Sequence, residues 1–166
     1  MLELRQITGR RVYNGRTEHG YYPGALAVEA IARRTSLRVS PRVAPMKILY
    51  VEDNAANARL VAKFLSLKHG ICLFEAATAE EGLLLASTER PHLILMDLNL
   101  PRMSGCQALC ALRANSDTRD IAVVAVSADA VPDHIHAALA IGFNDYLTKP
   151  LDFRRFDGII DRYRPL

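Results

Sequence analysis

The sequence predicts an α/β fold in which helices cover both faces of a five-stranded parallel sheet. From Met46 onward, short apolar runs alternate strictly with amphipathic helical periods, and such alternation is typical of parallel βαβ units. Five units fit into about 120 residues, the size of one ordinary domain. Because parallel βαβ crossovers are right-handed, the favoured arrangement is an open, doubly wound sheet.

Five apolar runs are predicted as strands, because each is too short for a helix and is bounded by turn or acidic residues. The fourth run is the most continuous of them. In chain order the predicted strands β1 to β5 span 47–51, 71–74, 92–96, 121–126 and 143–147.

Helical periods separate the strands, and most have a start or stop signal. A Thr-x-x-Glu pattern at Thr78 predicts a capping box at the start of the second helix, and Asp152 is the predicted N-cap of the fifth. Gly70 and Gly142 predict the ends of the first and fourth. The predicted ranges of α2 and α3 are 78 to about 87 and 105–113. The other helices are identified by apolar residues that share one face: Leu60, Val61, Phe64 and Leu65 in α1; Val131, Ile135, Ala138 and Leu139 in α4; and Phe153, Phe156, Ile160 and Tyr163 in α5.

The net charge of +3 is unevenly distributed along the chain. Residues 1–45 hold eight Arg and three Glu, whereas residues 46–166 hold 13 basic and 15 acidic groups. We therefore predict two parts: a basic, irregular and flexible extension or linker over 1–45, with one short helix over 25–34, and a single domain over 46–166. There are two alternatives for residues 1–45. Either Met46 is the true start of the protein, or residues 1–45 form a basic arm that contacts an acidic partner, nucleic acid or a membrane surface.

The sequence favours a cytoplasmic protein. No apolar run reaches the length of a membrane span, and the N-terminus lacks the apolar core of a signal peptide. The three cysteines are an odd number without a Cys-x-x-Cys spacing, which indicates a reducing compartment. Because the chain ends a few residues after the last predicted helix, we expect no DNA-binding domain.

Charged or hydroxyl side chains follow four of the five predicted strands. Glu52 and Asp53 follow β1, Asp97 ends β3, and Ser127 and Lys149 follow β4 and β5. In the flavodoxin-like strand order 2-1-3-4-5, β1 and β3 are neighbours at the switch point, so three carboxylates converge there. Their repulsion requires cations, which Lys149 and a hard divalent ion such as Mg²⁺ would supply. This combination predicts a phosphoryl-transfer site with Asp97 as the nucleophile.

Four stretches of the sequence resemble the receiver domain of two-component response regulators, as found in chemotaxis regulators. They occur in the family's order and with family-like separations, and the resemblance covers 46–166. The stretches are KILYVEDN (47–54), LILMDLNLPRMSG (93–105), VVAVSAD (123–129) and YLTKP (146–150).

The resemblance implies a metal site and an acceptor. Asp97 matches the residue that takes a phosphoryl group from a histidine kinase or histidine phosphotransfer protein. Asp53, Asp97 and the backbone carbonyl of Asn99 match the direct ligands of Mg²⁺, for which Mn²⁺ can substitute. Glu52 matches the acid that reaches the metal through water.

The resemblance also implies how the signal leaves the site. Ser127 and Lys149 match the catalytic hydroxyl and ammonium that contact the phosphoryl group, and Tyr146 matches an aromatic switch. Asn99 and Asp129 match positions that tune dephosphorylation, and their polarity predicts a transient phospho-state. Phosphorylation is expected to remodel the α4–β5–α5 surface for a downstream partner, and the Lys149–Pro150 bond is expected to be cis.

The chain is accordingly expected to be a signalling receiver that catalyses only its own phosphorylation and dephosphorylation. It would act as an adaptor, as a phosphate sink, or as a receiver detached from a hybrid histidine kinase. The alternative from another class is a magnesium-dependent aspartyl-phosphate phosphatase. Such enzymes usually carry Asp-x-Asp after the first strand, whereas this sequence has adjacent Glu52 and Asp53.

Overall fold

Five parallel strands form the centre of the computed structural model, which describes residues 10–11 and 44–165. Their order across the sheet is 2-1-3-4-5, which confirms the predicted flavodoxin-like arrangement. The first four strands are almost entirely buried because helices cover both faces. The strands are β1 (Met46–Val51), β2 (Ile71–Ala76), β3 (Leu93–Asp97), β4 (Ala122–Ser127) and β5 (Asp145–Thr148).

Five helices connect or follow these strands, and polar side chains cap most of their N-termini. Asn54 and Asp152 each accept two backbone N–H groups at the starts of α1 and α5. Thr78 caps α2 as predicted, but Glu81 accepts from the N–H of Ala77 rather than from that of Thr78, so the capping box is incomplete. The helices are α1 (Ala55–Ser66), α2 (Ala79–Glu89), α3 (Gly105–Ala114), α4 (Pro132–Ala140) and α5 (Phe153–Arg162).

The sheet separates two apolar clusters, because successive side chains of a strand point to opposite faces. Ile48 and Tyr50 of β1 pack in the cluster that contains the apolar residues of α1 and α5. Leu49 and Val51 pack in the other cluster, together with residues of α2, α3 and α4. Glu52 therefore follows Tyr50 on the α1/α5 side of the sheet.

The predicted apolar faces of α1 and α4 are only partly correct. Leu60 is 51% exposed, although Val61 and Leu65 beside it are buried. On the predicted face of α4, Ala138 is buried, whereas Val131 and Leu139 are 48% and 40% exposed. Helical periodicity identifies the face that turns inward, but the neighbouring elements decide how much of it they cover.

A two-residue strand from the predicted extension lies at the sheet edge. Arg10 and Arg11 pair antiparallel with Phe74 and Leu73 of β2. The short helix predicted over 25–34 lies outside the described residues. Within the described parts of the chain, no helix is long and apolar enough to cross a membrane.

Candidate functional site

Three carboxylates converge at the carboxyl end of the sheet, as the strand order predicts. Asp97 is the last residue of β3, while Glu52 and Asp53 directly follow β1. Glu52 and Asp97 are each only 4% exposed, and Asp53 is exposed. One oxygen from each of the three lies within 4.8 Å of the others.

Lys149 joins two of these acids. Its Nζ lies 2.6 Å from Oδ2 of Asp97 and 2.6 Å from Oε2 of Glu52. Lys149 directly follows β5, and the Lys149–Pro150 peptide bond is cis, as expected. Burial alone would lower the pKa of Lys149, but hydrogen bonds to Asp97 and Glu52 outweigh it and raise that pKa above its ordinary value. The lysine therefore stays charged beside the acids.

Among the described residues, four donors contact the Glu52 carboxylate. Its Oε2 accepts from the Tyr50 hydroxyl at 2.7 Å and from Lys149, and its Oε1 accepts from Asn57 Nδ2 at 2.9 Å and from the Asn54 N–H at 3.3 Å. Burial would raise the pKa of Glu52, but the bonds from Lys149, Tyr50 and Asn57 lower it overall. Glu52 is thus a buried but ionised carboxylate.

Asp97 has a different environment from Glu52. Its Oδ1 accepts the backbone N–H of Asn99 at 2.9 Å, and its Oδ2 accepts from Lys149. Since a carboxylate oxygen offers two lone pairs, each oxygen keeps room for a further contact.

The chain turns tightly behind Asp97: a Cβ on Gly105 would lie 2.3 Å from the Asp97 carbonyl oxygen. Glycine at this position allows α3 to begin directly against the acceptor strand.

Ser127 lies in the same end of the sheet and is connected to Lys149 through the backbone. The carbonyl of Ser127 accepts the Lys149 N–H at 2.7 Å, and the buried Ser127 hydroxyl accepts the Asp129 N–H at 3.1 Å. The serine thus links the lysine-bearing loop after β5 to the loop between β4 and α4.

Tyr146 is buried on β5 and bonded to that same β4–α4 loop. It is 2% exposed, and its hydroxyl donates to the carbonyl oxygen of Asp129 at 2.9 Å. The Asp129 carboxylate accepts the Val131 N–H and contacts His134 Nδ1. The Val131 N–H and the His134 contact hold the pKa of Asp129 below its ordinary value. His134, on the first turn of α4, is a contact that sequence reasoning did not identify.

The donor set at the three acids fits a hard divalent cation. Glu52, Asp53 and Asp97 offer carboxylate oxygens at close range, and Mg²⁺ prefers one or two carboxylates completed by water and phosphate oxygens. A groove of about 440 Å³, lined in part by Glu52, Asp53 and Arg59, opens beside them. This groove lies between the ends of β1 and β2 and the starts of α1 and α2, and Asp97 is not among its lining residues. It therefore gives solvent access to Glu52 and Asp53.

Sequence reasoning also missed two side-chain donors to Glu52, Tyr50 and Asn57. Tyr50 was detectable, because it precedes Glu52 by two positions on a strand and a buried tyrosine hydroxyl usually requires a partner. Asn57 carries no comparable signal, since its contact with Glu52 depends on how α1 begins.

Comparison with known proteins gives one consistent family. A family model described as the response regulator receiver domain matches residues 48–161. The polar-differentiation response regulator DivK of Brucella anthropi is 33% identical over 119 residues, which are 72% of this chain and 96% of that protein. The hybrid signal transduction histidine kinase G of Dictyostelium discoideum is 38% identical over 124 residues. Those residues are 73% of this chain, and they span only 4% of the kinase.

A solved structure with the same fold contains a metal ion. The receiver domain of the sensor histidine kinase PA1611 from Pseudomonas aeruginosa PAO1 is 31% identical to this chain, with a TM-score of 0.65. The match covers 72% of this chain and 98% of that domain. In that structure a magnesium ion is coordinated in the active site cleft.

Proposed function

The chain belongs to the response regulator receiver family, and on this premise we propose that it accepts a phosphoryl group on Asp97 in a two-component phosphorelay. The donor is a phosphohistidine on a histidine kinase or a histidine phosphotransfer protein. The observation that carries the proposal is the position of Asp97: a buried carboxylate at the acidic cluster, 2.6 Å from the Lys149 ammonium.

In the proposed reaction a carboxylate oxygen of Asp97 attacks phosphorus, and the phosphorus–nitrogen bond of the donor histidine breaks. The electron pair of that bond stays with the imidazole, and the product is an aspartyl phosphate. The Asn99 N–H and Lys149 hold the two oxygens of Asp97 in place for the attack. A bound Mg²⁺ or Mn²⁺, held by Glu52, Asp53, Asp97 and the Asn99 carbonyl, would supply positive charge for the phosphoryl oxygens.

Phosphorylation would signal by adding roughly 1.5–2 negative charges at a buried position. Lys149 and the Ser127 hydroxyl would close on that charge, and their backbone hydrogen bond couples β5 to β4. Tyr146 donates to Asp129 in the loop between β4 and α4, so a movement of this loop would reach the switch residue and α4.

The surface that would change in this proposal is α4–β5–α5, and exposed apolar residues at α4 support a partner site there. Val131, Leu139 and Ile141 at or beside α4 are large apolar residues between 40% and 49% exposed. Exposed apolar groups of this kind contribute to protein–protein contacts. We propose a downstream protein as the partner of this surface, in the cytoplasm.

A receiver role within a hybrid histidine kinase is the second arrangement, supported by the similarity to the Dictyostelium kinase. Both arrangements use the same chemistry at Asp97 and differ in the donor. In either one the protein catalyses only its own phosphorylation and dephosphorylation.

Phosphotransfer profiling tests the proposal. Purified chain is mixed with each candidate phosphorylated kinase or phosphotransfer protein, with and without Mg²⁺, beside Asp97→Asn and the exposed control Asp120→Asn. We expect labelling with at most one phosphoryl group per chain for the unchanged protein and for the control, and none for Asp97→Asn. Multiple turnover of small phosphate esters without stoichiometric labelling would instead indicate the phosphatase alternative.

A further inference from the structure

We propose that Tyr50 is a positioning residue for Glu52, and that its hydroxyl sets the divalent-cation affinity of the acidic cluster. This inference rests on the proposed function, because it assigns Glu52 to the metal site. In this role Tyr50 acts through Glu52, to which its hydroxyl donates a hydrogen bond.

The contact is direct and buried. Tyr50 and Glu52 lie two positions apart on the same side of the sheet, 1% and 4% exposed. The Tyr50 hydroxyl donates to Glu52 Oε2 at 2.7 Å. The aromatic ring packs in the apolar cluster that contains residues of α1 and α5, so the surrounding core fixes the position of the hydroxyl.

The arrangement of donors explains why this hydroxyl matters. The two oxygens of Glu52 accept about as many hydrogen bonds as a carboxylate can, and Oε2 is shared by Tyr50 and Lys149. In the proposed function Lys149 turns toward the phosphoryl group. That movement frees a lone pair on Oε2 for the metal ion or for a water bound to it. Tyr50 still donates to Oε2 and keeps the buried carboxylate in its orientation.

Groups that orient metal-binding side chains typically change metal affinity by about 10–100-fold when they are removed. Replacing Tyr50 by Phe deletes only the hydroxyl oxygen and retains the ring in the core. The expected result is therefore a loss of Mg²⁺ affinity without a loss of fold.

The experiment is a double-mutant cycle on the full chain, read by calorimetric titration with Mg²⁺ and by thermal unfolding. We expect Tyr50→Phe to raise the Kd for Mg²⁺ by about tenfold. Tyr163→Phe, the same chemical change at another residue that packs against this cluster, is the control and should leave the Kd within about twofold. In the Glu52→Gln background, Tyr50→Phe should raise the Kd for Mg²⁺ by less than about twofold, because Tyr50 can no longer act through the Glu52 carboxylate.

Two outcomes would overturn the inference: an unchanged Kd in folded Tyr50→Phe, or an equal effect with and without Glu52. If the unchanged protein itself neither binds Mg²⁺ nor becomes phosphorylated, the proposed function fails first and this inference fails with it.

Should Tyr50→Phe not fold, NMR of the unchanged protein decides the question. The Tyr50 hydroxyl proton should give a slowly exchanging resonance that shifts when Mg²⁺ saturates the site, and a resonance that does not move would contradict the proposal.

Discussion

The side-chain ammonium of Lys149 lies 2.6 Å from Oδ2 of Asp97, although 52 positions separate the two residues in the chain. The same ammonium lies 2.6 Å from Glu52. Two carboxylates this close and this buried would repel each other strongly without a cation between them. The position of Lys149 therefore connects the stability of the fold to the chemistry of the site.

Replacing Lys149 by Met should destabilise the protein in the absence of divalent cations. Removing one partner of a buried ion pair leaves an uncompensated charge, and because Lys149 is 20% exposed we expect a loss of about 1–3 kcal/mol of unfolding free energy. Added Mg²⁺ should restore part of this loss. Urea denaturation with and without Mg²⁺ measures both effects.

The control for this prediction is Lys47→Met, which removes a partly exposed pair with Glu89 and should cost at most about 1 kcal/mol. Equal stability of Lys149→Met and the unchanged protein, with no response to Mg²⁺, would contradict the role assigned to the ammonium.

Stability should fall at both pH extremes for identifiable reasons. The pKa of Glu52 is lowered in the folded state, so its contribution is present above the ordinary value of 4.5 and is lost as pH falls through the folded pKa. The pKa of Lys149 is raised, so its contribution is present below 10.5 and is lost as pH rises through the folded pKa. Glu52→Gln should therefore show a shallower loss of stability as the pH falls below 4.5. If the unfolding free energies of Glu52→Gln and the unchanged protein decrease in parallel as the pH falls, this explanation is wrong.

Gly105 and Gly158 should respond in opposite ways to alanine. A Cβ on Gly105 would lie 2.3 Å from the Asp97 carbonyl oxygen and 2.9 Å from the Leu98 Cα, so the backbone must move. We expect a loss of about 1–3 kcal/mol and slower phosphorylation of Asp97. Gly158 in α5 has no such neighbour within 4 Å, and alanine there should add about 0.5–1 kcal/mol. Thermal unfolding of both variants provides the comparison, and a neutral Gly105→Ala would show that the close approach is unimportant.

The phosphorylated state should be short-lived. Asn99 is exposed two positions after the acceptor, and we expect its polar side chain to admit the water that hydrolyses an aspartyl phosphate. Asn99→Leu should therefore slow the loss of label by at least about twofold, since burying apolar surface there excludes water. The rate at which the radiolabelled protein loses its label after removal of the donor measures this effect. A label that persists for many hours on the unchanged protein would disprove the prediction.

The sequence was sufficient for the strands and for the residues at their ends. Buried parallel strands are continuous apolar runs, so β1 and β4 could be recognised locally, and Asp97 and Lys149 follow from where such runs end. The strand order then determines which of these ends meet.

What the sequence did not reveal depends on tertiary contacts. Leu60 and Val61 are adjacent apolar residues, yet Val61 is buried and Leu60 is 51% exposed. The donors around Glu52 come from β1, from the start of α1 and from the loop after β5. No local pattern specifies that Asn57 and Lys149 contact the same carboxylate. The contact between His134 and Asp129 spans only five positions, but it depends on how the chain enters α4.

The most direct test of the proposed function is to map the phosphoryl group after transfer from a cognate phosphohistidine protein in the presence of Mg²⁺. The protein is reduced with borohydride, which converts an aspartyl phosphate to homoserine, and its peptides are sequenced by mass spectrometry. We predict modification at Asp97 alone, at no more than one group per chain, and none in Asp97→Asn. Label at another residue, or undiminished label in Asp97→Asn, would contradict the assignment of Asp97 as the phosphoacceptor.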